Sequence, residues 1–237
     1  MSLLSDKKEE IVLVYGNQES QTIEELLKHA HDAKKKFRVI VIDSSPEYFG
    51  RGMVKRLSAH GIKCQYTLIS MVNFLMGQVT KVFLPSTYLL CNGALVSPTG
   101  TSMISCLAHK NRVPVVAVCE TYKFDDRVNL DQITNNEQGS SYKFTENYLL
   151  KNNKNQSVLS EVLSEQEGKK DDKPKVELLN LRFDLTPQKY LNLIVTEIGY
   201  IPPHSVPVVI REMRNDYEDE NRDDEDSSDD ENSSQSS

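Results

Sequence analysis

Short apolar runs, each too short for a helix and separated from the next by a helix-type segment, constrain this chain more than any other feature. The first is Ile11-Val-Leu-Val-Tyr15, β-branched, without polar alternation and stopped by Gly16, which marks a strand buried on both faces. Thr22-Ile-Glu-Glu25 then supplies a capping box, and Ile23, Leu26, Leu27, Ala30 and Ala33 form the apolar side of a helix. Lys34, Lys35 and Lys36 close it where cations suit the negative end of the helix dipole. Val39-Ile-Val-Ile42 repeats the strand signal and ends in Asp43-Ser-Ser-Pro46, completing one βαβ unit. The same alternation predicts a helix over Gly52–His60, a strand over Gln65–Ile69, a short helix over Val72–Met76 and a strand over Lys81–Leu84. Asn92-Gly93 marks a tight turn within Leu89–Val96, a helix opens at Gly100-Thr101, and Val113–Val118 is a further strand. The expected fold is α/β: an open, doubly wound, mainly parallel sheet of Rossmann-like type with right-handed crossovers.

The alternation breaks near Gln138. Residues 138–175 are rich in Asn, Lys, Ser, Glu and Gln, including Lys151-Asn-Asn-Lys-Asn155, and read as a low-complexity, disordered insertion. Order is expected again over Val176–Phe183, followed by a helix over Pro187–Ile198 with Pro at its first position and Leu191, Ile194, Val195 and Ile198 on its apolar face. Ser205–Ile210 reads as the last strand. Residues 213–237 hold eleven carboxylates against two arginines, and so account for more than the whole net charge of −7. The expected organisation is an N-terminal segment 1–10, a Rossmann-like domain 11–212 carrying the insertion, and a disordered acidic tail 213–237. In that tail Ser227 and Ser228 stand three residues before Asp230 and Glu231, a spacing that suits an acid-directed kinase.

With the charge confined to the tail, the body is near neutral, and the Lys34–Lys36 cluster lacks interleaved aromatics, so direct nucleic-acid binding is not expected. Cys64, Cys91, Cys106 and Cys119 are separated by 27, 15 and 13 residues without a C-x-x-C pair, which points to buried free thiols in a reducing compartment rather than a zinc site. His29 and His31, two apart on a helix, face different directions and do not form a metal pair. There is no G-x-S-x-G nucleophile elbow, no signal-type apolar region near Met1 and no membrane-length apolar run, so a cytosolic location is expected.

Four segments together carry a family resemblance: Phe37–Ser44 with Pro46; Leu90–Ser97 with Gly100-Thr101; Pro114–Glu120 with Thr121-Tyr-Lys-Phe124; and Phe183-Asp-Leu-Thr-Pro187. In order and spacing they resemble the family that joins the alpha, beta and delta subunits of translation initiation factor 2B to sugar-phosphate isomerases acting on methylthioribose 1-phosphate and ribose 1,5-bisphosphate. The match runs over roughly Val12–Arg211 outside the insertion, and Cys119–Phe124 and Ser205–Ile210 resemble the delta-type subunits most. Such subunits also carry a long helical N-terminal region and a basic tail, so the chain is expected to be a fragment or a reduced member.

Aldose-to-ketose isomerisation moves a hydrogen between neighbouring carbons and needs a placed acid, a placed base and groups that hold the phosphate. The resemblance implies a Cys at the end of the first strand and an Asp in a Gly-Ala-Asp segment. Those positions hold Gly16 and Thr87, which do not titrate near neutral pH, while the expected cations stand as Ser45 and Pro98. Pro85-Ser-Thr87 also replaces a Gly-Ala-His-like stretch of the factor subunits. No catalytic residue, cofactor or metal is therefore expected.

Gly50-Arg-Gly52 reads either as a helix-start turn or as half of a dinucleotide fingerprint, and Thr99–Ser102 either as a capped helix entry or as an anion site on free N–H groups. Candidate ligand-binding residues are Asn92, Gly93, Gly100 and Thr101. The resemblance implies pairing with a homologous subunit through 122–131 and 183–211. Candidate contacts in the first stretch are Tyr122, Lys123, Phe124 and Arg127, and in the second Pro202, Pro203 and Val206. Implied partners are beta-type and alpha-type subunits of the exchange factor and initiation factor 2 with its phosphorylated alpha subunit. The alternatives are an isomerase using other residues and a free-standing sensor of sugar phosphates or nucleotides.

Overall fold

The computed structural model describes residues 4, 9–17, 21–131, 136–140, 143 and 179–215. Most of the expected insertion at 138–175, the possible phosphorylation sites Ser227 and Ser228, and the tail beyond residue 215 lie outside the described residues.

Seven strands make the main sheet: β1 (Glu10–Tyr15), β2 (Phe37–Asp43), β3 (Cys64–Leu68), β4 (Lys81–Pro85), β7 (Val115–Val118), β10 (Leu193–Thr196) and β11 (Gly199–Ile201), in the order β11-β10-β7-β4-β1-β2-β3. All neighbours are parallel except β10 and β11. Helices α1 (Gln21–Asp32), α2 (Gly50–Ala59), α3 (Val72–Leu75) and α4 (Thr101–Lys110) provide the connections. Because side chains alternate along a strand, the apolar runs feed two cores. Val12, Val14, Val39, Val41 and Phe83 pack with Ile23, Leu27, Met53 and Leu57 of α1 and α2. Leu13, Ile40, Val82 and Leu84 pack with Val72, Ile104 and Ala108 on the other face. Burial of each such side chain contributes about 1.5–3 kcal/mol, which is why unbroken apolar runs specify these strands so strongly.

A separate four-stranded sheet, ordered β8-β5-β6-β9, is built from β5 (Tyr88–Leu90), β6 (Leu95–Pro98), β8 (Phe124–Asp125) and β9 (Phe183–Thr186). The Asn92-Gly93 turn joins β5 to β6. Asn92 Oδ1 accepts the Ala94 N–H at 3.1 Å, and Gly93 takes φ of 74°.

Two expectations are corrected. The predicted helix over Pro187–Ile198 is instead a 3-10 turn, Gln188–Tyr190, followed by strand β10. Leu191, Ile194, Val195 and Ile198 fit a helical stripe, but β7 needs a parallel neighbour and the segment supplies one. Ile194 enters one core and Leu193 and Val195 the other, with the Asn192 side chain accepting the Val115 N–H at 2.9 Å. The predicted strand over Ser205–Ile210 is helical: Pro203–Ser205 is a 3-10 turn and 206–215 forms helix α5. Pro207 has no N–H for a ladder but is tolerated in a first helical turn. Val206, Val209 and Ile210 meet the core at i, i+3 and i+4. The helix also carries residues 213–215, which were expected to belong to the tail.

Candidate functional site

The chain leaves β1 in one direction for β2 and β3 and returns on the other side to β4, so β1 and β4 flank the point where the winding reverses. In open α/β sheets the ligand crevice lies outside the carboxyl ends of the strands at such a point. Here it measures about 730 Å³, with Tyr15, Gly16 and Asn17 from the end of β1, Asp43–Glu47 after β2 and Pro98–Gly100 before α4 among its lining.

Its polar groups are turned on one another. The Tyr15 hydroxyl donates to the Thr99 carbonyl at 2.6 Å; with that proton committed, the Ser44 hydroxyl, also at 2.6 Å, donates to Tyr15. Burial, reinforced by the charges of Asp43 and Asp184, pushes Tyr15 up to about 12, beyond use as an acid or base at neutral pH. Asp43 is 1% exposed and accepts the Ser44 N–H and the Tyr66 hydroxyl, each at 2.9 Å. The Tyr66 hydroxyl is itself raised, chiefly by burial.

Gly16 and Gly50 explain what closes the end of β1. The Gly16 N–H extends the ladder to the Ile42 carbonyl at 2.8 Å, and a Cβ on Gly16 would lie 2.3 Å from the Gly50 Cα. A Cβ on Gly50 would in turn lie 2.8 Å from the Asp43 carboxyl carbon. The backbone of α2 thus fills the space into which a cysteine would project. Thr87 sits at the start of the second sheet, where its N–H donates to the Val96 carbonyl at 3.0 Å.

At the start of α4, Asp184 of β9 accepts the Gly100 N–H at 2.6 Å and the Ser102 N–H at 3.2 Å. Its carboxylate therefore occupies the helix N-terminus that a phosphate would seek. Burial pushes Asp184 above the ordinary carboxylate range, against the downward pull of the two N–H groups. Gly100 has φ of 106°, and its missing Cβ would lie 2.4 Å from Ile69 Cδ1.

Of the four candidate ligand residues, Gly100 lines the crevice, with its N–H engaged by Asp184. Thr101 is fully buried and donates to the Pro98 carbonyl, while Asn92 and Gly93 form the hairpin turn described above. Ser45 and Pro98, read as standing where cations were expected, both line the crevice. The cations that line it, Lys143 and Arg182, are paired with Glu47 and Glu137.

The candidate contact residues divide. Tyr122 is 76% exposed and Pro202 is exposed. Arg127 is exposed, pairs with Asp125 and lies over the Tyr88 ring. Lys123 is folded in, donating to the Ser86 carbonyl at 3.1 Å and pairing with Glu120 at 2.8 Å. Phe124 is half-buried in β8 against the core. Pro203 and Val206 are buried, as is Ile201, so their apolar character belongs to this chain's interior and not to its surface. The expectation of buried thiols also needs correction. Cys119 is buried and pushed up to about 12, chiefly by burial, and Cys64 and Cys91 are intermediate, but Cys106 on α4 is exposed.

Among the described residues no group of three His, Cys, Asp or Glu could hold a metal, and no helix is long and apolar enough to cross a membrane. Sequence reasoning missed Tyr15 and Asp184 as organisers of the crevice. The Phe183-Asp-Leu-Thr motif was the available signal for Asp184, but its partner lies 84 residues away.

These features define a doubly wound α/β domain with a switch-point crevice whose polar groups are largely satisfied from within. The chain belongs to the initiation factor 2 subunit family, whose model matches residues 2–203. It is 39% identical over 208 residues to the translation initiation factor eIF2B subunit delta of Schizosaccharomyces pombe, covering 88% of this chain but 42% of that protein. It is 30% identical over 187 residues to the ribose 1,5-bisphosphate isomerase of Archaeoglobus fulgidus, covering 79% of this chain and 53% of the isomerase. The tetrameric eIF2B-beta2-delta2 complex from C. thermophilum contains a chain with the same fold, at a TM-score of 0.60 and 23% identity, covering 79% of this chain and 50% of that one. The chain thus spans about half the length, or less, of these relatives.

Proposed function

We propose that the chain is a non-catalytic regulatory subunit domain of the guanine-nucleotide exchange factor for translation initiation factor 2, working in the cytosol. In this reading its folded body is 11–212, extended through the end of α5, with the acidic tail outside it. It assembles with beta-type and alpha-type paralogues and helps sense initiation factor 2 whose alpha subunit is phosphorylated. The exchange chemistry itself resides in other subunits. Similarity to delta subunits across most of this chain supports the assignment, together with a solved beta-delta assembly of the same fold.

The observation that carries the non-catalytic part is the contact of Gly16 with Gly50. A cysteine at residue 16 has no room, because its Cβ would stand 2.3 Å from a backbone atom. Asp184 supports the same reading by occupying the anion-binding end of α4. A purified chain given ribose 1,5-bisphosphate or methylthioribose 1-phosphate should yield no ketose product above a heat-killed control. Capture from a cell extract should instead recover beta-type and alpha-type chains.

The isomerase relatives keep a second reading in view, namely turnover by residues other than the expected pair. Product formation by the unmodified chain would establish it. A sensor that binds without turnover would be revealed by a melting shift with sugar phosphates or nucleotides in the absence of any paralogue.

A further inference from the structure

The two ends of the main sheet treat their cations differently. At the crevice end Lys123 is paired with Glu120, Lys143 with Glu47 and Arg182 with Glu137. At the opposite end, where the parallel strands begin, Lys34 and Lys36 stand before β2, Lys63 before β3, Lys110 and Arg112 before β7, and Lys189 before β10. All six are exposed, and among the described residues none of them is paired with a carboxylate. The acids nearby are few: Glu10 is paired with Lys81 at 2.7 Å, Asp32 is bonded to His60 at 2.8 Å, and Glu9 is exposed. Since β3 and β10 are the outer members of the parallel part of the sheet, the cations spread over about 24 Å.

The helix dipole does not explain this distribution. It favours a cation in a last turn, where Lys110 stands, but Lys63 lies beyond the end of α2 and Lys189 in a 3-10 turn. Two of the cations also occupy positions that the backbone reserves for other residues. Helices α1, α2 and α4 end in the same kind of turn, in which the N–H of Lys35, Ile62 and Val113 donates to the carbonyl of Ala30, Leu57 and Ala108 in turn. The residue before that N–H takes the left-handed conformation, which suits glycine. Gly61 fills it after α2, but Lys34, at φ of 59°, and Arg112, at φ of 58°, fill it after α1 and α4. A basic side chain therefore stands in two turns whose backbone favours glycine.

We propose that this end of the sheet is a docking surface for an extended, carboxylate-rich segment of a partner protein, held by Lys34, Lys36, Lys63, Lys110, Arg112 and Lys189. All but Arg112 are lysines, which meet carboxylates as point charges and lack the planar fork that grips phosphate. The helix ends here present carbonyls, whereas nucleic-acid backbones draw on the N–H groups of helix N-termini. Tyr190, the ring beside Lys189, is half-buried against His109 with centroids 5.4 Å apart, and offers no platform for a base. Charge and chemistry together select an acidic polypeptide over RNA. The surface is independent of the subunit reading, since Tyr122 follows β7 at the other end of the sheet.

Fluorescence anisotropy of a labelled oligo-glutamate peptide tests it on the whole chain. The peptide should bind at low salt and weaken steeply as salt is added. Lys63→Glu with Lys110→Glu should weaken binding by roughly tenfold, and Lys63→Gln with Lys110→Gln by roughly threefold. Lys55→Glu with Arg211→Glu makes the same change of net charge at exposed residues elsewhere, and should leave the affinity within about twofold. All of these variants should keep the melting temperature, as exposed substitutions do. No binding to the unmodified chain, or an equal loss in the Lys55 and Arg211 pair, would overturn the proposal. An RNA oligomer of the same charge that binds more tightly, and is lost in the same variants, would overturn it in favour of nucleic acid. Slow acetylation of Lys63 and Lys110 in the chain alone, relieved by salt, would overturn it in favour of this chain's own acidic residues 216–237.

Discussion

After β2 the chain turns inward: Asp43 is 1% exposed, both its oxygens are engaged, and a side chain has no room at Gly16, against Gly50, or at Gly50, against Asp43. After β7, at the same end of the same sheet, it turns outward. There Glu120 pairs with Lys123, the Thr121 N–H donates to both Glu197 oxygens at 2.9 and 3.1 Å, and between these anchors Tyr122 is left 76% exposed. Val128 and Leu130 continue that exposed apolar surface. Both rims are well ordered by hydrogen bonds, so the difference is one of direction and not of rigidity. The inward rim spends the polar groups of Tyr15, Ser44, Asp43 and Asp184 on one another and on nearby backbone, as the proposed non-catalytic reading requires. The outward rim holds an aromatic ring in water, where a contact surface needs it.

Between the two rims, the larger expected effect breaks the inward one. Gly16→Cys should destabilise the fold by ~1–3 kcal/mol or more, because its Cβ meets backbone and not a movable side chain. Urea unfolding reads this directly, and Gly16→Cys with Thr87→Asp should remain without isomerase activity.

A smaller effect sharpens the account of Asp184. Asp184→Ala should cost about 1 kcal/mol through loss of the α4 cap, and Asp184→Asn only a few tenths, since both Asp and Asn cap well. The pH dependence separates charge from cap. Burial raises the folded-state value of Asp184 above its ordinary 3.8, so the folded state holds this proton more tightly than the unfolded state. The Asp184 contribution to stability should therefore rise as pH falls through the raised folded value toward 3.8, and decline as pH rises through the same window. Asp184→Asn should remove that component, seen as a flatter dependence of the urea midpoint on pH.

The smallest effect on stability belongs to the outward rim. Tyr122→Asp should shift stability by less than about 0.5 kcal/mol, as an exposed substitution does. Val206→Asp, by contrast, should unfold the chain, since it would bury an unpaired carboxylate in the core. Only the first substitution can report on assembly.

The difference between the rims was partly legible in the sequence. Runs such as Ile11–Tyr15 and Val39–Ile42 announced their strands because a segment buried on both faces must be apolar throughout. The lack of titratable side chains at Gly16 and Thr87, where the family resemblance implied Cys and Asp, was legible too. Segments 187–198 and 205–210 were misread because spacing alone did not settle them. Leu191, Ile194 and Val195 suit a helical stripe or a doubly buried strand, and the open edge of β7 decided for the strand. Val206, Val209 and Ile210 looked like a strand through their branching, yet their spacing places them on one helical face. The second sheet was illegible because β6 pairs with β9 across nearly ninety residues, as Val96 with Leu185. The same distance hid Asp184 from Gly100 and made an occupied helix end look like a vacant anion site.

The central claim is that the crevice rim has been closed to chemistry while the Tyr122 rim faces a paralogous subunit. Sedimentation velocity of the chain co-expressed with a beta-type subunit tests it most directly, with Tyr122→Asp beside the unmodified protein. The account predicts a stable heteromeric species for the unmodified chain and its loss in Tyr122→Asp, with the melting temperature unchanged. A chain that sediments as a monomer beside the beta-type subunit, or a complex indifferent to Tyr122→Asp, would contradict it.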